Sequence, residues 1–146
     1  MDETSGPGNA IASSALNKLG LILGESKFRD ASLNTLRWAR TIIEYNPGLH
    51  CAFMASFLET VRIKYVVIFR GPDEGRRNLL LACHGDIFES CIFLEIPYGE
   101  LKTLPAYLPK IEPSEAMSRS KAYVFDGTTC SPALHSKDEI LNYLGA

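Results

Sequence analysis

At Lys64 the spacing of the apolar residues changes, and that change limits what the chain can fold into. Before it, apolar residues recur three and four apart, the period of one helix face. After it come Tyr65-Val-Val-Ile-Phe69 and Cys91-Ile-Phe-Leu-Glu-Ile96, two short and nearly continuous apolar β runs. A strand apolar at every position is covered on both faces, so a layered α/β arrangement is expected there. The chain thus reads as a helical segment, 1–63, followed by a small α/β domain, 64–146.

Three helices are predicted in the first segment. Ile11, Ala12, Ala15, Leu16, Leu19, Ile22 and Leu23 form one face of the first, with Asn9 placed to cap its start and Gly24 to end it. The second carries Phe28, Ala31, Leu36, Ala39, Ile42 and Ile43 on one side and Lys27, Arg37, Arg40 and Glu44 elsewhere. Ser26 is placed to cap it, and Pro47-Gly48 stops it. The third, His50 to about Arg62, holds Phe53, Met54, Phe57, Leu58 and Val61, and Ala52 and Ala55 broaden its apolar side. No charge falls between Cys51 and Leu58, which predicts burial on more than one side. Short connections make these antiparallel neighbours, a helical hairpin and a half. Such a set is unfinished: it is expected either to dimerise or to expose an apolar face.

In the second segment, Asn78 to Ile87 suits a helix between the two β runs, giving a parallel, right-handed βαβ unit. Pro97, Pro105, Pro109 and Pro113 then punctuate an irregular crossing, with room for a short helix from Leu101 to Leu108 broken at Pro105. Asp126-Gly127 predicts a hairpin with a type I′ turn pairing Lys121–Phe125 with Thr128–Ala133. Ser136 and Glu139 form a capping box ahead of Ile140, Leu141 and Leu144. The order β-α-β-α-β-β-α is that of a small mixed sheet, either thioredoxin-like or flavodoxin-like.

Composition excludes several functions. With 46% hydrophobic and 22% charged residues the chain is globular rather than disordered. Fifteen basic against seventeen acidic residues, net −2, leave no basic stripe for nucleic acid. The longest apolar runs are five residues, far below the roughly 20 needed to cross a bilayer. Asp2, Glu3, Thr4 and Ser5 follow Met1 where a signal peptide has basic and apolar regions, so the chain is expected in the cytoplasm and its first acids at a frayed end. Four scattered cysteines, Cys51, Cys83, Cys91 and Cys130, suit reduced thiols better than a disulfide framework.

No catalytic, cofactor-binding or metal-ligating residue is assigned. Gly71-Pro-Asp-Glu-Gly-Arg-Arg77 could cradle a phosphate at a helix start with Arg76 and Arg77, but Asp73 and Glu74 already occupy the anion's place. The pairs His50-Cys51 and Cys83-His84 invite a nucleophile-and-base reading, yet adjacent helical residues point about 100° apart. No Cys-x₂-Cys or His-x₃-His spacing suits a metal. Cys130 has no lysine or arginine within three residues, and His135 lies beyond Pro132, so it reads as wall material.

Ser5-Gly-Pro-Gly-Asn-Ala-Ile-Ala-Ser-Ser-Ala-Leu-Asn-Lys-Leu19, Gly24-Glu-Ser-Lys-Phe28 and Lys121-Ala-Tyr-Val-Phe-Asp-Gly-Thr-Thr-Cys-Ser-Pro132 with its closing helix resemble the C-terminal part of the family named after spermatogenesis-associated protein 20. The resemblance implies a parent with a thioredoxin-like domain, an (α/α)₆ toroid similar to N-acylglucosamine 2-epimerase and six-hairpin glycosidases, and a final α/β segment. The helices would then be the last of the toroid, and their partner the rest of the parent chain or a second copy through the helical half. Where the family commonly has a cysteine before the hairpin this sequence has Phe125, and where it has a proline this one has Ser120, which removes any paired-thiol role for Cys130. The family's redox motif would lie outside this chain, and no activity is expected of this chain alone. One expectation is therefore a non-catalytic fragment of a sugar epimerase-, isomerase- or glycosidase-like protein. The other is an interaction or stabilising module of a redox-linked protein without sugar chemistry.

Overall fold

The computed structural model describes residues 8–87, 89–96 and 119–145, with the side chains of His84, Asp86 and Ile87 left aside. Asp2, Glu3, the prolines from Pro97 to Pro113 and the expected helix from Leu101 to Leu108 lie outside the described residues. The chain is mixed α/β, with helices first and then a small three-stranded sheet flanked by helices. It divides into two compact units, Met1–Lys64 and Tyr65–Ala146.

The helical unit contains α1 (Gly8–Leu23), α2 (Ser26–Tyr45), a 3₁₀ turn (Pro47–Leu49) and α3 (Cys51–Arg62). Gly24, at φ +63°, ends α1, and the Glu25 N–H donates back to the Gly20 carbonyl at 3.1 Å. Two expected caps are corrected. Asn9 lies inside α1, and Ser26 is the first residue of α2, whose N-cap is Glu25 without a side-chain bond.

The larger correction concerns which faces are buried. The α1 residues buried are Ala10, Ser13, Asn17, Gly20 and Leu21, whereas Ile11 and Leu19 of the expected core stripe are exposed. Small side chains allow two helices to approach closely. Ser13 Oγ lies 2.9 Å from Ser32 Oγ and donates to the Ser32 carbonyl at 3.2 Å, and a Cβ on Gly20 would stand 2.5 Å from Arg29 Cγ. A satisfied hydroxyl pair is worth about 1 kcal/mol, which favours burying Ser13 against Ser32. On α3 only Phe53 and Ser56 are buried, and Met54, Phe57, Leu58 and Val61 face outward at helical spacing. Phe53 joins Ala10, Leu36 and Ala39 in the small apolar cluster of the unit. Glu59 links α3 to α1 by accepting from Ser14 Oγ and from Lys18 Nζ at 3.1 Å. Burial pushes the Glu59 carboxyl up, but those bonds outweigh it and leave the carboxyl below its usual range.

The α/β unit begins with β1 (Tyr65–Arg70), α4 (Asp73–Ile87) and β2 (Cys91–Glu95), and β1 pairs parallel with β2 from Tyr65↔Cys91 to Phe69↔Glu95. Next in the described chain come β3 (Lys121–Phe125), antiparallel to β1, and α5 (Lys137–Leu144), giving the strand order β2-β1-β3. Helix α4 starts at Asp73, five residues before the expected Asn78. The alternation of strand side chains puts Val67, Phe69, Cys91, Ala122 and Val124 into one cluster with Cys83 of α4 and Ile140 of α5. Val66, Ile68, Tyr123 and Phe125 at the alternate positions are buried too, so β1 and β3 are covered on both faces. The α5 capping box forms with one change. Ser136 Oγ accepts from the Glu139 N–H at 3.2 Å, while the Glu139 carboxylate accepts from the His135 N–H at 2.7 Å, one residue before the expected partner.

The expected type I′ hairpin is also corrected. Gly127 has φ +96°, but no non-glycine residue among those described has positive φ, so Asp126 does not fill the first left-handed position. Its carboxylate instead accepts four bonds, from the N–H and Oγ1 of Thr128, both at 2.8 Å, and from the N–H and Oγ1 of Thr129 at 2.7 and 2.9 Å. An aspartate that can collect two backbone N–H groups favours this wider loop over the tight turn. The return segment then pairs only at Phe125↔Cys130 and Ala122↔Leu134, so the expected strand Thr128–Ala133 does not form as one. The register slips by one residue between those bridges. The Val124 N–H donates to Ser131 Oγ at 2.9 Å in place of a backbone carbonyl, and Pro132 has no N–H to offer.

This loop carries a pH prediction. The N–H of Thr129, opposed by burial and joined by the Thr128 bonds, holds the Asp126 carboxyl far below its usual range. A depressed folded value means that the stabilisation is complete above about pH 4, where the unfolded aspartate titrates, and is lost as the pH falls further. Asp126→Asn should therefore lower stability by about 1 kcal/mol at neutral pH, solvent screening included, with the gap to wild type closing in acid. Thermal melts of both proteins across that range check it; a gap independent of pH would remove the carboxylate from the account.

Candidate functional site

The thiols are the first candidates, and their surroundings argue against chemistry. All four cysteines are free: Cys83 and Cys91 are buried, Cys130 is half-buried and Cys51 is exposed. Burial pushes the Cys130 thiol up, and the Asp126 carboxylate pushes it further. Burial likewise raises Cys91, with the Ser90 hydroxyl partly opposing it and Cys83 adding to it. A thiol held up in this way is a poor nucleophile near neutral pH. The neighbours His50 and Cys51 diverge: the imidazole packs on the Phe53 ring at 6.5 Å, and the thiol donates to the Gly48 carbonyl at 3.4 Å. Among the described residues no group of three or more His, Cys, Asp and Glu could hold a metal ion.

The β1–α4 junction is the second candidate, and Arg76 decides it. Its guanidinium donates to Glu95 Oε2 at 3.0 Å, Asp73 Oδ1 at 2.9 Å and the Gly71 carbonyl at 3.2 Å. The bond to Glu95 raises its pKa, burial opposes that, and Asp73 adds to the rise. Arg76 is thus tied to protein groups and clamps the helix start to β2. Asp73, Glu74, Arg76, Arg77 and Asn78 line a groove of about 380 Å³ there, but its acids complement the helix dipole and repel an anion.

The junction matters for what it brings close. Gly71 has φ +118°, and a Cβ there would lie 2.7 Å from Ser120 Cα; one on Gly75 would lie 2.3 Å from Ser120 Oγ. Two glycines therefore let the Arg119-Ser120 segment lie against the start of α4. Beside it runs a groove of about 480 Å³ lined by Gly75, Asn78, Leu79, Ala82, Arg119, Ser120 and His135. The sequence assigns a binding role to none of these residues. No local pattern could have found them, because their positions run from 75 to 135 and only the β1–β3 pairing brings them together.

A third feature belongs to the helical unit alone. Leu33, Leu36, Arg37, Arg40, Ile43 and Glu44 of α2 and Met54 and Phe57 of α3 line an apolar groove of about 440 Å³. Arg40 at its rim donates to Glu44 at 2.7 Å, and Arg37 to Asn34 at 3.0 Å. No described helix is long and apolar enough to cross a membrane. No protein-family model, curated protein or solved structure matches the chain.

Proposed function

We propose that the chain is a non-catalytic assembly module, the C-terminal part of a thioredoxin-fused, carbohydrate-epimerase-like protein. Its helical unit supplies wall helices to an (α/α) toroid, and its α/β unit is an appended thioredoxin-like domain without thiol chemistry. The observation that carries this reading is the outward stripe of α3, Met54, Phe57, Leu58 and Val61, of which Phe57 and Val61 are 51% and 55% exposed. Ile11 and Leu19 extend the exposed apolar surface on α1, and an apolar area of this kind in an otherwise soluble composition marks an interaction face. A toroid wall helix needs just such a second apolar side. The antiparallel β3 directly beside the central strand, with no complete hairpin partner strand, supports a thioredoxin-like order over a flavodoxin-like sheet with a terminal hairpin.

Hydrophobic-dye binding and sedimentation velocity test the reading on two proteins: this chain, and the longer chain translated from the reading frame upstream of Met1. The shorter protein should bind dye or self-associate, and the longer one should do neither. A strictly monomeric short chain that binds no dye would show that the helical unit needs no partner.

A further inference from the structure

Asn78, Arg119, Ser120 and His135 line one groove, and among the described residues none of their side chains is engaged in a hydrogen bond or ion pair. Arg76, two residues before Asn78 on α4, donates to Glu95, Asp73 and the Gly71 carbonyl, so the two arginines have different roles. All four groove side chains can donate, and a guanidinium can do nothing else. Arg119 is exposed and free to turn toward a ligand, and its planar fork of N–H groups fits the two oxygens of a carboxylate or phosphate. No carboxylate lines the groove. Asp73 and Glu95 are tied to Arg76, and Glu139 is held on the backbone N–H of His135, which leaves that imidazole ring unengaged. Leu79 and Ala82, three apart on α4, add an apolar strip along the same groove. The absent side chain of Gly75 sets the Ser120 hydroxyl close to the helix. A volume of about 480 Å³ falls within the roughly 300–1,000 Å³ range of small-molecule sites.

We infer that this groove binds a small organic oxyanion, with the carboxylate or phosphate head on Arg119, Asn78, Ser120 and His135 and a short apolar stem along Leu79 and Ala82. The inference stands apart from the assembly role, since it uses only residues of the α/β unit.

Titration of the ¹⁵N-labelled full chain with phenyl phosphate, benzoate and inorganic phosphate, followed by two-dimensional NMR, tests it. Saturable shifts are expected at Gly75, Asn78, Ser120 and His135, with at least one of the aromatic anions tighter than inorganic phosphate. Whichever aromatic anion binds tighter identifies the head group. Arg119→Gln should weaken binding roughly tenfold or more, the scale of a charge-assisted pair, and Asn78→Ala severalfold. Arg77→Gln, which alters the neighbouring acidic groove, should leave binding unchanged. The same spectra report whether each variant is folded. Shifts that fail to saturate, equal weakening by Arg77→Gln, or no weakening by both Arg119→Gln and Asn78→Ala would overturn the site.

Discussion

Gly71→Ala should lower the stability of the chain by roughly 3 kcal/mol, the sum of a strained backbone and an overpacked contact. At φ +118° an L-residue is strained wherever its side chain points, and here the Cβ would meet Ser120 Cα at 2.7 Å and the Arg119 carbonyl at 3.1 Å. Those are backbone atoms, fixed by the pairing of β3 with β1, and they cannot turn aside. Gly75→Ala provides the contrast. Its Cβ would come even closer, 2.3 Å, but to the hydroxyl of Ser120, which can adopt another rotamer. Within a helix, alanine also regains about 1 kcal/mol over glycine. Gly75→Ala should therefore cost little, and Ser120→Ala should relieve what it costs without rescuing Gly71→Ala. Urea midpoints from circular dichroism compare the four proteins; equal costs at the two glycines would mean that the 119–120 segment is not held against the helix.

A second pair of substitutions inverts the usual expectation for a helix. Ser13→Leu, a gain of apolar surface, should destabilise the helical unit by about 3 kcal/mol, while Ile11→Ser, a loss of it, should stay within about 0.5 kcal/mol of wild type. Leucine at position 13 would be forced into a seam sized for hydroxyls and would leave Ser32 Oγ without its partner at 2.9 Å. Ile11 is 58% exposed, so serine there removes little packing. Trp38, the only tryptophan and 65% exposed on α2, reports unfolding of this unit by fluorescence. A larger loss from Ile11→Ser would place the core of the unit where its apolar residues first suggested.

These pairs show where the sequence was legible. Period and turn chemistry are local, so the three helices, the stop at Gly24, the parallel β1–α4–β2 unit and the Ser136 cap could all be read from neighbouring residues. The side a helix turns inward depends on its neighbours. In α1 a stripe of Ile11, Leu19 and Ile22 competes with a seam of Ala10, Ser13, Asn17 and Gly20, and the seam wins because it fits Ser32 and Arg29 of α2. At Asp126 two local rules pointed to different turns, and the bonds to Thr128 and Thr129 decided between them. The oxyanion groove was invisible for a further reason: its donors are ordinary residues whose meaning comes only from being brought together.

The bulge at Ser131–Pro132 also bears on how this protein avoids aggregation. An outer strand with a regular row of free N–H and C=O groups is a template on which another copy can add its own strand. Along β3 and the residue after it that row is occupied by a segment of the same chain, bonded at Ala122, Val124 and Asp126. The segment presents in turn a shifted register and a proline, neither of which can extend a ladder. On that side of the sheet strand-to-strand growth is blocked, and any association between copies is left to side-chain surfaces, where it can be specific and reversible.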